Sequence, residues 1–233
     1  MPKEDVLPTA RRMGQSERMI RRSMHTIALV VLPLLGASAS ACADPKVSLG
    51  TGPREYTDSD YAQVLERWTR SKSLVTLGEL ETPLTVTTTF ESWDFRWAYV
   101  VKYASDYRLT VEQRRSLLER TLAETRASHR FYVALYGTKP RWSDLTRPYS
   151  AWIVRLIDEE GNETAPSSID YIVRPGPLEK IYFPYSTVFR NVFRVTFSTT
   201  TPDGRATISP HARWFGLRFA GAEGNEELRW EIE

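Results

Sequence analysis

Cysteine and histidine are scarce in this chain. Of its 233 residues, one is a cysteine, Cys42, and three are histidines, of which His129 and His211 lie beyond the first 41 residues. A single cysteine excludes an internal disulfide bond. Two histidines without a partner at ligand spacing do not make a zinc site. We therefore expect neither a metal nor a cofactor.

The short motifs of common enzymes are also missing. The sequence has no G-x-S-x-G nucleophile turn, no P-loop and no G-x-G-x-x-G dinucleotide signature. His129 is expected to end a helix, where a cation suits the helix dipole. His211 follows Pro210 in an expected loop, exposed to solvent. These absences predict that the protein is not an enzyme.

Charge of one sign is lacking in most of the chain. The whole sequence has 31 basic and 29 acidic residues. The first 41 residues hold six of the basic and three of the acidic ones, which leaves 25 basic and 26 acidic residues in the remainder. Nucleic-acid binding needs clustered positive charge against phosphates, so we expect no nucleic-acid partner.

One apolar run stands near the start of the chain. Arg21 and Arg22 precede an uncharged segment of ten residues, 27–36, which is followed by the small residues 37–41. A positive flank, a short apolar core and a small-residue exit are typical of a secretory signal. The core is shorter than the roughly 20 residues of a membrane-spanning helix. An uncleaved anchor is the alternative.

The residues at the exit of this segment refine the prediction. Ala39, Ser40 and Ala41 lead directly into Cys42. This pattern resembles the lipobox of bacterial lipoproteins, with Ala39 at the position where Leu is usual. The resemblance implies that Cys42 carries fatty acyl chains, becomes the mature N-terminus and holds the protein on a membrane. Ordinary cleavage after an A-x-A sequence, with secretion, is the alternative.

The resemblance also implies a subcellular location and a division of the chain into segments. Ala43 follows the cysteine, and Asp44 comes one place later than the residue that often retains lipoproteins at the inner membrane, which favours the outer membrane. We expect an export signal over residues 1–41, with Met19 or Met24 as alternative starts, a lipid-anchored tether over 42–56 and one globular domain over 57–233.

Aromatic and alternating segments predict a mainly β domain. Aromatic and β-branched residues favour strands, and short alternating runs separated by turns recur along the chain. The expected strands are 84–90, 95–103, 131–136, 151–157, 169–173, 180–185, 192–198, 213–219 and 227–232. Helical spacing predicts a short helix through Tyr61 and Trp68 and a second at 110–128, which begins with a capping box.

This pattern predicts an antiparallel β-sandwich, immunoglobulin-like or similar, decorated with one or two helices. A curled sheet with both helices on one face is the alternative. No motif places residues 43–233 in a family.

Four aromatic residues are candidates for ligand binding. Trp142 and Tyr149 fall in or beside a long loop, 137–149, and loops of this length are often functional. Tyr185 and Trp214 are the other two candidates. Together they predict a contiguous aromatic patch for a glycan or peptide.

The sequence therefore predicts an envelope lipoprotein of non-enzymatic binding or structural type. Its partners would be the membrane, through the lipid on Cys42, and another envelope protein. A glycan- or peptide-binding module is one alternative. A hydrolase with an unrecognised site, with His129 or His211 near a carboxylate, is another.

Overall fold

Two antiparallel sheets form the framework of the domain. The computed structural model describes residues 44–76, 81–138 and 143–233, which belong to one unit spanning Cys42–Glu233. The strands are β1 (Thr69–Thr76), β2 (Glu81–Phe90), β3 (Ser128–Tyr136), β4 (Trp152–Asp158), β5 (Glu163–Thr164), β6 (Ser168–Tyr171), β7 (Asn191–Ser198), β8 (Trp214–Gly221) and β9 (Gly224–Glu231). One sheet has the order β1-β2-β3-β7-β6, and the other has the order β5-β4-β8-β9.

Within the described residues, four helices accompany the sheets. They are α1 (Tyr61–Trp68), which follows a 3-10 turn at Asp58–Asp60, then α2 (Trp93–Asp106), α3 (Val111–Ala127) and α4 (Pro177–Tyr182). None of the helices in the described ranges has the length and hydropathy needed to span a bilayer. The mainly β, two-sheet class that the sequence predicts is confirmed, although the helices outnumber the one or two expected.

Aromatic rings from both sheets meet in the core. Phe90 of β2 stacks on Phe131 of β3 with centroids 4.7 Å apart, and Phe215 of β8 lies 5.1 Å from Phe90. Trp230 of β9 stacks on Phe215 and donates its Nε1 hydrogen to the carbonyl oxygen of Trp68, 3.1 Å away. Because these rings come from both sheets, the inner faces pack on each other, and burial of apolar surface stabilises that packing.

The outer face of the five-stranded sheet is covered by helical segments. Tyr132 points away from Phe131 and stacks on Phe183, which directly follows α4, with centroids 3.8 Å apart. Phe183 in turn lies 5.8 Å from Phe95 of α2. A side-chain layer thus lies between the sheet and α2, and it positions the site described below.

The strand predicted at 95–103 is wrong, because this segment is the helix α2. Ser92 caps the helix by accepting a hydrogen bond from the backbone of Phe95 at 3.0 Å. Phe95, Ala98 and Val101 recur every third residue and are buried. The same segment also alternates aromatic residues, so the residue pattern alone fits either period.

The strand predicted at 180–185 is also wrong. Residues 177–182 form α4, with Gly176 as the N-cap and Pro177 in the first turn. Proline suits this position because its fixed φ matches a helix and its missing N–H would be unpaired there anyway. The sequence signal was therefore the Pro-Gly-Pro segment, which begins a helix here.

The strand β1 was not expected. Its sequence is polar, and it lies at an edge of the sheet, where it pairs with β2. The hydroxyl pairs Thr69–Thr89 and Ser71–Thr87, at 2.6 and 2.9 Å, line this pairing. Cross-strand hydroxyl pairs replace the apolar alternation by which strands are usually recognised.

Residues 44–56, expected as part of a tether, pack on the domain instead. Val47 is 1% exposed and pairs with Ile232 beside β9. Its N–H donates to the carbonyl oxygen of Glu231 at 2.8 Å, and its carbonyl oxygen accepts from the N–H of Glu233 at 3.0 Å. The structured part of the chain therefore begins no later than Asp44.

Two phenylalanines with opposite exposure test the core assignment. Phe131 is fully buried, whereas Phe189 is 79% exposed. Phe131→Ala is expected to lower the free energy of unfolding by about 4 kcal/mol, through lost burial and a cavity. Phe189→Ala is expected to change it by less than about 0.5 kcal/mol. Urea unfolding measures both, and equal effects would contradict the packing described.

Candidate functional site

A cavity rich in arginine lies where β2 ends and α2 begins. Its volume is about 190 Å³, and it is called the arginine cavity below. Its lining residues are Glu91, Phe95, Arg96, Tyr99, Thr121, Glu124, Arg130, Phe183 and Arg194.

The fold explains how distant arginines meet there. Tyr132 of β3 opposes Arg194 of β7, and Arg130 lies two residues before Tyr132 on the same outer face. Residues two apart on a strand share a face. Arg96 reaches the same place from the first turn of α2, and Glu91 follows β2 directly.

Glu91 is the centre of an ion-pair network. Its side chain is 8% exposed. One carboxylate oxygen, Oε2, accepts a hydrogen bond from Arg96 Nη2 at 2.8 Å and lies 3.8 Å from Arg130 Nε. The other, Oε1, accepts from Arg194 Nε at 3.3 Å. Glu124 of α3 pairs with Arg96 at 3.0 Å and also with Arg130.

The network keeps Glu91 ionised. Burial by itself would raise the pKa of this carboxyl, but the guanidinium groups of Arg96, Arg194 and Arg130 outweigh burial and hold the pKa below its usual value. Burial would likewise lower the pKa of Arg194, and the Glu91 carboxylate reverses this and raises it. The cavity therefore holds three guanidinium cations and two carboxylates.

Some hydrogen-bond donors of the cavity have no partner among the described residues. Arg194 uses its Nε on Glu91, and its two terminal nitrogens make no hydrogen bond to the described part of the chain. Arg130 donates from Nη1 to Glu124, and its Nη2 makes no hydrogen bond to the described part of the chain. An arginine carries five N–H donors, so this wall of the cavity presents donors to solvent.

Aromatic side chains also line the cavity. They belong to Phe95, Tyr99 and Phe183. Burial raises the pKa of Tyr99 to about 12, with the Glu91 carboxylate adding to the effect and Arg194 opposing it. The Tyr99 hydroxyl therefore keeps its proton at neutral pH.

Asp94, three residues after Glu91, has a structural role. Its carboxylate accepts hydrogen bonds from Arg54 Nε at 2.9 Å, from the Tyr56 hydroxyl at 2.6 Å and from Trp68 Nε1 at 2.9 Å. Burial would raise its pKa, and these donors, led by Tyr56, more than offset burial and lower it. Asp94 thus fastens the N-terminal segment and α1 to α2.

The sequence predicted that His129 ends a helix, and this is wrong. His129 lies in β3. Burial lowers the pKa of its imidazole to about 4, so the ring is neutral at physiological pH. It packs 5.9 Å from Phe90 and lines a cavity of about 130 Å³ that Glu91 also borders. The Glu91 carboxylate bonds to arginines instead, so the two do not form an acid–base pair. His211 is exposed.

The predicted aromatic patch is not formed by the residues that the structure describes. Cys42 and Trp142 lie outside those residues. Tyr149 is 64% exposed and stands three residues before Trp152, which opposes Gly221 at one end of β8. Trp214 begins β8 at its other end, about 23 Å away along the strand. Its ring stacks with the Arg229 guanidinium, 4.0 Å from the ring centroid.

Tyr185 is not available as a surface ligand contact. Its hydroxyl hydrogen-bonds to the Thr89 hydroxyl at 2.6 Å, and its ring packs 6.1 Å from that of Tyr132. It therefore belongs to the layer between the helices and the five-stranded sheet.

Several apolar side chains within α4 and in the residues just before and after it are exposed. This surface, called the α4 patch, comprises Val173, Leu178, Ile181, Val188 and Phe189, with Val188 78% exposed. Beside it runs a groove of about 370 Å³ bordered by Arg174, Lys180 and Arg190. The described residues that border this groove include no carboxylate. Exposed apolar side chains concentrated in one stretch of the chain are candidates for an interaction site.

Comparisons with known proteins leave the assignment to the geometry. No protein-family model matches the chain, and neither a curated protein nor a solved structure does. Within residues 44–76, 81–138 and 143–233, no group of three or more histidine, cysteine or acidic side chains is arranged to hold a metal ion.

Sequence analysis missed Glu91, Arg96, Arg130 and Arg194. The available sequence signal was weak. Arg130 and Arg194 alternate with apolar residues in or beside predicted strands. This places them on the polar face of each strand but does not indicate which carboxylate they contact. Only the register of β3 on β7 brings them to Glu91.

Glu91→Gln tests the network. At neutral pH this change leaves buried guanidinium groups without their shared carboxylate, and we expect it to lower the free energy of unfolding by about 3 kcal/mol. The pKa of Glu91 is lower in the folded state, so its contribution is complete above the unfolded pKa of about 4.3 and is lost as pH falls through the folded value.

The difference between wild type and Glu91→Gln should therefore shrink as the pH is lowered from 7 to 3, measured by urea unfolding. Glu66→Gln, at an exposed position on α1, is the matched control and should have little effect. A difference that stays constant with pH would contradict the proposed ionisation.

Proposed function

We propose that this chain is a membrane-anchored bacterial envelope lipoprotein that acts by binding rather than by catalysis. The observation that carries the proposal is the succession, within a few residues, of an export segment, a lipobox-like Ala39-Ser40-Ala41-Cys42 sequence and a domain that is already ordered at Asp44. Acyl chains on Cys42 would supply the attachment, since each buried CH₂ contributes roughly 0.8 kcal/mol.

The start of the ordered chain supports close attachment. Asp44 lies 3.6 Å from Arg70, and Arg70 Nη2 donates to the carbonyl oxygen of Pro45 at 2.8 Å. The side chain of Arg70 is 4% exposed and also donates to the carbonyl oxygen of Arg229. Two residue steps span at most about 7 Å. A lipid on Cys42 would therefore hold the β1 edge of the domain near the bilayer.

The α4 patch supports a protein partner. It adjoins β6, the edge of the five-stranded sheet opposite β1, and four strand spacings separate these edges by about 19 Å. An anchor at β1 would leave the patch clear of the membrane. Because cations border the patch, its partner would be an envelope protein with an apolar centre and an acidic rim.

The alternatives have less support. A glycan- or peptide-binding module built on Tyr149, Tyr185 and Trp214 would need these residues together, and they are apart. A hydrolase would need a histidine paired with a carboxylate. His129 is neutral, and His211 is exposed. Neither histidine therefore shows the pairing with a carboxylate that would favour a hydrolase. Outer-membrane location, from Ala43 after Cys42, is part of the proposal, and secretion is its alternative.

Cys42→Ser tests the anchor. In cells labelled with a radioactive or clickable fatty acid, the wild-type protein is expected to take up label and fractionate with membranes. The variant should do neither, because serine has no thiol for acylation. A wild-type protein that takes no lipid would replace the anchor with simple secretion.

Two equally exposed valines test the α4 patch. Val188 and Val111 are each 78% exposed, and only Val188 belongs to the patch. A photo-crosslinking amino acid at position 188 is expected to capture one protein of defined mass in cells, and the same amino acid at position 111 should not. The Val188 adduct should fall at least fivefold with Lys180→Glu, since the rim cation is reversed. Identical adducts from both positions would exclude the patch as a specific interface.

A further inference from the structure

We propose that the arginine cavity binds a small organic carboxylate with an apolar body. This inference concerns the domain alone and does not depend on the lipid on Cys42.

The charge of the cavity favours a monoanion. Two carboxylates, Glu91 and Glu124, face three guanidinium groups, those of Arg96, Arg130 and Arg194. Arg96 bonds to both carboxylates and Arg130 bonds to Glu124, whereas Arg194 makes one hydrogen bond at the longer distance of 3.3 Å. One positive charge is left over, which matches one carboxylate better than a doubly charged phosphate.

The surplus charge is accessible. The side chains of Arg194 and Arg130 are 35% and 21% exposed, whereas that of Arg96 is 6% exposed. The terminal nitrogens of Arg194 form a planar fork that suits bidentate pairing with a carboxylate. Arg96 is therefore the buried, structural arginine of the network. Arg194 is the accessible one, which would face an incoming ligand.

The aromatic lining favours an apolar body on the ligand. Phe95, Tyr99 and Phe183 line the cavity together with the guanidinium groups. Small-molecule sites commonly combine an apolar wall with a few polar groups that fix orientation. Tyr99 adds a hydroxyl that makes no hydrogen bond to the described residues and keeps its proton, so it is available as a donor to the same carboxylate.

Benzoate is the probe that tests this proposal, with benzyl alcohol as its neutral counterpart. The full chain, purified in a neutral detergent, is titrated with each compound in a calorimeter. Saturable binding of benzoate is expected, weakening as salt is added, and benzyl alcohol should bind at least tenfold more weakly. Cys42→Ser should bind benzoate as the wild type does, which separates this proposal from the anchor.

Two variants and a control locate the binding. Arg194→Gln should weaken benzoate binding roughly tenfold, because a charge-assisted pair is lost, and Tyr99→Phe should weaken it roughly threefold while leaving the ion pairs intact. Arg205→Gln, at an exposed arginine that pairs with Asp203, should have no effect.

Three outcomes would overturn the proposal. These are no saturable benzoate binding to the folded wild type, equal binding of benzyl alcohol, and unchanged affinity in the cavity variants. Tighter binding of inorganic phosphate than of benzoate would overturn the carboxylate assignment. If Arg194→Gln does not fold, the Tyr99→Phe titration decides alone.

Discussion

A buried carboxylate at the end of β2 determines how the helices join the sheet. Removing Glu91 from water costs several kcal/mol unless cations and hydrogen bonds compensate it. The compensation comes from Arg96 on α2, Arg130 on β3 and Arg194 on β7, and Glu124 extends the network to α3. Since each cation is on a different element, the charge of Glu91 requires α2, β3 and β7 to take fixed positions relative to the end of β2.

Residues 92–94, which directly follow Glu91, fix the positions of α1 and the N-terminal segment. Ser92 caps α2 and Asp94 binds Arg54, Tyr56 and Trp68, so Glu91 and Asp94 direct their carboxylates to different neighbours across a single helical turn. Buried charges of this kind are poor sources of net stability compared with apolar packing. Their effect here is to specify where α1, α2 and the N-terminal segment lie on a core that aromatic rings stabilise.

The sequence predicted the framework well and the site poorly, for a physical reason. Local alternation of apolar residues marked β2, β3, β7, β8 and β9, and a capping box marked α3. The segment 95–103 satisfied both periods, so only tertiary packing decided for a helix. The network depends on contacts such as Glu91 with Arg194, which are 103 residues apart. No local pattern encodes which carboxylate an isolated strand arginine will meet.

The five-stranded sheet separates the features to which we assign roles. Asp44 lies beside β1 at one edge, the α4 patch adjoins β6 at the other, and the arginine cavity lies on the outer face between them. A rigid sheet transmits little change between its edges when its strands keep their register. The proposed attachment at the β1 edge would therefore leave the cavity and the patch accessible, and the domain would need no long tether to present them.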